Sequence, residues 1–164
     1  LLGEYYLGKG DPYSAIEPLE QAKAFVVPKT PVQSHLYELL DAAYLRAGNA
    51  EVEKGRLAGA VKYFDKAIQV GPTEPNGYAA KANVCVQLGQ FHDAAETLEK
   101  LARLDPKNPT IHLSLGDVLY QGGEKNAART SWQTAMGLTT ARDAELQGAL
   151  RQRLEGNITE DTFK

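Results

Sequence analysis

Apolar residues recur every third or fourth position along most of this 164-residue chain, and charged or polar residues fill the intervals. Leu40 and Tyr44, Ala60, Phe64 and Ala67, Ala94 and Leu98, and Leu115 and Leu119 are such sets. A stripe with this period lets a helix bury one face and wet the other, so the pattern predicts an all-helical chain. Gly10, Gly48, Gly89 and Gly123 read as the turn residues within successive helix pairs, because a residue with positive φ ends a helix at little cost. The apolar runs are far shorter than the roughly 18 residues a membrane span requires.

The pattern also repeats. Residues 75–108 make one 34-residue cycle, and a second opens at Pro109 with Leu115-Gly116, Leu119, Ala128, Trp132 and Ala135. The earlier cycle carries Tyr78, Gly89, Phe91, Ala94, Leu98 and Leu104-Asp105-Pro106, with Lys81-Ala82 where the later one has Leu-Gly. Leu40, Tyr44, Ala60, Phe64, Ala67 and Pro72 form another copy, and Leu2-Gly3, Tyr6, Ala15, Leu19 and Ala22 a shorter one. This series resembles the tetratricopeptide repeat (TPR) family. The resemblance implies an all-α fold, a right-handed α-solenoid of antiparallel helix pairs wound into a TPR superhelix. Small residues would stand where paired helices cross closely, with large apolar residues beside them.

On this reading residues 1–164 form one domain: a repeat over about 1–28 truncated at its start, repeats at 34–74, 75–108 and 109–142, a capping helix over about 141–155 and a polar tail at 156–164. The truncated first helix reads as continuing upstream. The second repeat reads as carrying a seven-residue insertion, Asn49 to Gly55. Either the first helix runs on to Lys54 with Gly55 taking over the turn, which Ala50, Glu51, Glu53 and Lys54 favour, or the segment is a surface loop, which Gly48 and Asn49 favour. In the capping helix Leu146, Ala149, Leu150 and Leu154 would face inward, with Arg142, Arg151 and Arg153 contributing to a polar outer face.

The resemblance further implies a concave groove lined by the first helix of each pair. Family spacings carried onto this chain point to Glu4, then to His35, Glu38 and Arg46, to Asn76 and Asn83, and to Asp117 and Tyr120, with Arg151 added by the capping helix. Leu7, Ala42, Leu45, Ala79, Val86, Thr110, Leu113 and Gln147 would lie among them. Glu4, Glu38 and Asp117 favour a basic or polar protein or peptide over an acidic one. Asn83 can hold a peptide backbone through both amide functions, and Tyr120 offers an aromatic face. Chaperone-binding relatives grip a terminal carboxylate with Lys, Arg and Asn; here only Asn83 matches that clamp, so chaperone tails are disfavoured.

Charge and composition narrow the alternatives. A net charge of -3 offers no general attraction to nucleic acid, and 43% hydrophobic with 24% charged residues is ordinary for a folded domain. His35, His92 and His112 are scattered, no His/Cys/Asp/Glu spacing suits a metal, and neither a phosphate loop nor a nucleophile elbow is present. No cofactor or catalytic site is expected. Cys85 reads as a small buried hydrophobe, and Tyr44, Tyr63, Tyr78 and Trp132 as interhelix packing. Asn157-Ile158-Thr159 fits a glycosylation acceptor, which matters only in a secretory setting. A protein-binding adaptor or scaffold, as part of a larger assembly factor, leads; a structural spacer or self-association through the truncated first repeat is the alternative, ahead of an enzyme or an RNA reader. Either the cytoplasm or a bacterial periplasm would suit the chain.

Overall fold

The computed structural model describes residues 2–156, 158 and 160–163. Among these residues are nine α-helices, two short 3-10 turns and no strand: α1 (Leu2–Gly8), α2 (Pro12–Ala22), α3 (Pro31–Glu53), α4 (Leu57–Val70), α5 (Pro75–Gln87), α6 (Phe91–Leu104), α7 (Pro109–Gln121), α8 (Lys125–Leu138) and α9 (Ala144–Leu154). The 3-10 turns are Lys23–Phe25 and Glu160–Phe163. None of the described helices is long and apolar enough to cross a membrane. Of the glycosylation tripeptide, Asn157 and Thr159 lie outside the described residues.

Local chemistry sets where the helices start. Pro12, Pro31, Pro75 and Pro109 open α2, α3, α5 and α7, where a missing N–H is no loss. Just before them, Asp11 accepts from the Ser14 N–H at 3.1 Å, Thr30 from Gln33 at 3.3 Å and Asn108 from Thr110 at 3.1 Å, satisfying donors that the first turn leaves free.

The helices divide into two compact units, residues 1–88 and 89–164. In the first, α1 pairs with α2 and α3 with α4, while α2 packs on α3 and α4 on α5. In the second, α7 pairs with α8, flanked by α6 on one side and α9 on the other.

The pairs α1–α2, α3–α4 and α7–α8 each cross at a small residue. A β-carbon built on Gly3 would sit 2.4 Å from Leu19 Cγ; on Gly48, 2.4 Å from Phe64 Cε1; on Gly116, 2.4 Å from Trp132 Cδ1. Such distances exclude any side chain, so these glycines let a large residue of the second helix lie directly on the backbone of the first. Ala82 stands at the same register in the third copy and is buried. Alanines at 15, 43, 47, 60, 67, 94, 128 and 135 are also fully buried, and Tyr44, Phe64 and Trp132 fill the space beside them. Cys85 is fully buried, as its position predicts.

Of the two sequence readings of Asn49 to Gly55 the structure takes the helical one, with Gly55 at the turn (φ 70°); only the reading of Gly48 as a turn residue is corrected, since it lies within α3, against Phe64. Residues 49–53 are therefore helix, and no insertion separates the two helices of this repeat. The spacing from Gly48 to Ala60 equals that from Gly116 to Ala128, and the additional residues lie at the N-terminal end of α3. Glu51 anchors the helical end: its side chain is buried and accepts a hydrogen bond from Tyr13 Oη at 2.6 Å. Arg153 is a second correction, since it is buried rather than part of an outer polar face.

If Gly48 is a crossing residue, Gly48→Ala and Phe64→Leu will be coupled, because the smaller Leu makes room for the new β-carbon. A double-mutant cycle on denaturation free energies is expected to give an interaction of about 0.5–3 kcal/mol in that sense. Additive effects would mean that Gly48 does not touch Phe64.

Candidate functional site

The first helices of the first unit, α1, α3 and α5, lie side by side, with α3 touching both neighbours. Their packed sides are set by Gly3, by Tyr44, Ala47 and Gly48, and by Tyr78, Ala82 and Cys85. Glu4, Asn49 and Asn83, which follow Gly3, Gly48 and Ala82, point away from the core, and Asn49 and Asn83 are exposed. Asn76 and Ala79 are exposed on α5 as well.

The charged members of this face are engaged with one another. His35 Nε2 lies 3.0 Å from Glu4 Oε1, and its Nδ1 lies 3.7 Å from Glu38 Oε2, so the imidazole joins α1 to α3. The hydrogen bond to Glu4 raises the His35 pKa from its usual 6.5, desolvation opposes it, and Glu38 adds to the increase. Arg46 donates from Nη1 to the Leu7 carbonyl at 3.0 Å, placing a cation at the C-terminal end of α1, where orphan carbonyls favour it. By contrast, no hydrogen bond to the side-chain amides of Asn49, Asn76 or Asn83 is present among the described residues.

Asn49 is the residue that sequence reasoning missed. Its signal is present: Asn49, Asn83 and Asp117 are spaced by 34 residues, each directly after a small residue. Assigning Gly48 to a turn hid it and moved the second repeat's candidates two turns back, to His35 and Glu38.

In the second unit the corresponding positions are occupied from within. Asp117 Oδ1 accepts from Arg153 Nε at 2.5 Å and from Trp132 Nε1 at 2.9 Å, and Oδ2 accepts from Arg153 Nη2 at 2.7 Å. Asp117 thus satisfies a buried arginine and cannot at the same time offer its charge to a basic ligand, contrary to its sequence assignment. Tyr120 stacks between Trp132 and Phe163, with ring centroids 5.6 and 5.7 Å away. Arg151 is exposed on α9, and Gln147 binds the loop before it through Thr139 Oγ1 and the Thr140 carbonyl.

A cleft of about 410 Å³ opens beside α3, lined by Ser34, Tyr37, Glu38, Asp41 and the 70–74 loop. Within it Asp41 Oδ1 is buried without a hydrogen-bond partner among the described residues. Burial raises the Asp41 pKa, and the Glu74 charge raises it further. No group of His, Cys, Asp or Glu suited to a metal is found among the described residues.

Comparison with known proteins agrees with the geometry. A tetratricopeptide repeat model matches residues 41–73 and a TPR repeat model residues 82–123. The chain is similar to the small glutamine-rich tetratricopeptide repeat-containing protein 2 of Mycosarcoma maydis, 27% identical over 97 residues, or 58% of this chain and 28% of that protein. It spans between 7% and 28% of the length of the curated relatives it matches. Among solved structures, the Yersinia enterocolitica type III secretion translocator chaperone SycD superposes with a TM-score of 0.62 at 20% identity, over 77% of this chain and 95% of that one. The first TPR of Spaghetti, bound to the HSP90 peptide SRMEEVD, gives 0.59 at 15% identity, over 73% and 94%. These likenesses show an all-α TPR solenoid fold.

Two measurements check this electrostatic account. Because the folded-state His35 pKa is raised, its contribution to stability is complete below the unfolded value of about 6.5 and is lost as pH rises through the folded value. In an NMR titration Glu4→Gln is expected to lower the His35 pKa, and α1 amides to exchange faster above that transition; an unmoved titration contradicts the pairing. Asp41, with a raised pKa, destabilises the fold once pH exceeds its usual carboxylate range. Asp41→Asn should therefore raise the thermal midpoint at pH 7 but not at pH 3, and an equal shift at both would refute the assignment.

Proposed function

Since the chain belongs to the tetratricopeptide-repeat family, whose members generally mediate protein–protein interactions and typically act as non-catalytic adaptors, we propose that it binds an extended peptide or a partner helix across the exposed face of α1, α3 and α5. The observation that carries this reading is the pair of uncommitted amides, Asn49 and Asn83, at equivalent positions on adjacent helices. An asparagine side chain offers two donors and an acceptor with two lone pairs, the set that a peptide unit presents in complement. Repeating it at one helix-pair step matches a ligand whose backbone groups also repeat. Asn76 extends the row, and Glu4, His35, Glu38 and Arg46 form its charged border.

The uncommitted groups are neutral while the charged ones are paired internally, so the partner is polar or mildly basic, held by many modest contacts. A charged clamp for a terminal carboxylate is not built from these residues.

Selection of peptides from a displayed random library tests the reading. The chain should enrich defined sequences, and an Asn49→Ala, Asn83→Ala variant of equal thermal midpoint should bind them at least about fivefold more weakly, since each lost hydrogen bond is worth about 0.5–1.5 kcal/mol. Equal binding by both proteins would remove the amide row from the account.

A second reading, self-association, is favoured by a separate observation: Leu2, Tyr5, Phe25, Val27 and Val32 are large apolar residues left 57–87% exposed in the first unit. Sedimentation over a hundredfold range of concentration distinguishes it, since a monomer throughout would exclude it.

A further inference from the structure

The second unit contains a contact that the adaptor reading does not require. Beyond α9 the chain turns back, and the 3-10 turn Glu160–Phe163 lies against α7 and α9. The Phe163 ring sits 5.7 Å from Tyr120, and the Arg153 guanidinium carbon lies 5.7 Å from the centre of the Phe163 ring. The Thr162 carbonyl accepts from Arg153 Nη2 at 3.1 Å.

Arg153 is a prepared donor. Its Nε and one Nη2 proton bind Asp117, its Nη1 binds the Ala149 carbonyl one turn earlier on α9, and Asp117 is itself fixed by the Trp132 indole. The guanidinium therefore keeps its place and its plane whether or not the returning segment is present. Removing that segment would leave one N–H of a buried cation without an acceptor, next to the open face of Tyr120. A fixed charged donor beside an aromatic platform is a pocket for an aromatic side chain that follows a backbone carbonyl.

We propose that the Tyr120–Arg153 face is a peptide-docking pocket for such an aromatic-bearing segment, and that Glu160–Phe163 is its resident occupant, displaced when a partner segment of the same chemistry binds. The occupant is only partly enclosed: Phe163 and Thr162 remain half-exposed beside the ring contact to Tyr120, the cation–ring contact with Arg153 and the hydrogen bond to the Thr162 carbonyl. The short tether after α9 supplies a high effective concentration, which keeps the pocket filled without tight contacts. A partner must exceed that local concentration, so the segment sets a threshold for binding at this end of the repeats. The proposal deepens the peptide-binding reading but involves different residues, so failure here leaves the Asn49–Asn83 test unaffected.

The probe is a synthetic peptide of residues 157–164, titrated into isotope-labelled protein while the Trp132 indole and Arg153 Nε signals are followed by NMR. Three proteins are compared: the 164-residue chain, the chain shortened after Gly156, and Phe163→Ala. The peptide should shift both signals saturably in the shortened chain and in Phe163→Ala, and should require at least tenfold more peptide to do so in the intact chain. A peptide with Phe163→Ala should produce no such shift. The same titration in intact and shortened chains, or no saturable shift in a folded shortened chain, would overturn the proposal. Unfolding of both the shortened chain and Phe163→Ala would also overturn it, by making the segment a structural cap.

Discussion

The closeness of the helix crossings is the constraint from which the remaining structure follows. Leu19, Phe64 and Trp132 lie on the backbone of Gly3, Gly48 and Gly116, with no room for a β-carbon between them. That contact fixes the separation and rotation of these three helix pairs, and so decides which residues of their first helices are packed and which are presented. Asn49 reaches solvent because Gly48 before it is pressed against the second helix, and Asn83 is exposed at the equivalent position of α5. Asp117 stands at the same position, and Trp132, which fills its crossing, also supplies one of its hydrogen bonds.

Much of this was legible in the sequence. The apolar period predicts helices, prolines mark their starts, and the 34-residue recurrence of Ala60, Ala94 and Ala128 identifies the repeat. In the second repeat the sequence left helix and loop both open over Asn49 to Gly55, for a geometric reason. Seven residues are close to two turns, so a seven-residue shift rotates the helix face by only about 20° and leaves an apolar stripe in phase. Leu40 and Tyr44 therefore imitate the pattern that belongs to Ala47, Gly48 and Glu51. Only the conformation of Gly48, helical and pressed against Phe64, separates the two registers. Arg153 was misread for another reason: helical spacing places it among solvated arginines, and its burial depends on an aspartate 36 residues earlier.

Charge is distributed accordingly. Glu4, His35 and Glu38 tie α1 to α3, Arg46 closes the end of α1, Glu51 takes the Tyr13 hydroxyl, and Asp117 balances Arg153. Ion pairs between exposed side chains contribute little each, so their value here is positional: they hold neighbouring first helices in step. The groups left for a partner are amides and aromatic faces, which suit recognition through shape and backbone hydrogen bonding more than through net charge.

The central claim is the register, because the exposed amide row exists only if α3 continues unbroken past Gly48. Amide hydrogen exchange measured residue by residue across Asn49–Glu53 tests it directly. The account predicts protection there comparable with that at Ala43–Ala47 and a sharp fall at Lys54–Gly55. Fast exchange beginning at Asn49 would place a loop where the structure has helix, and would remove Asn49 from the face it shares with Asn83.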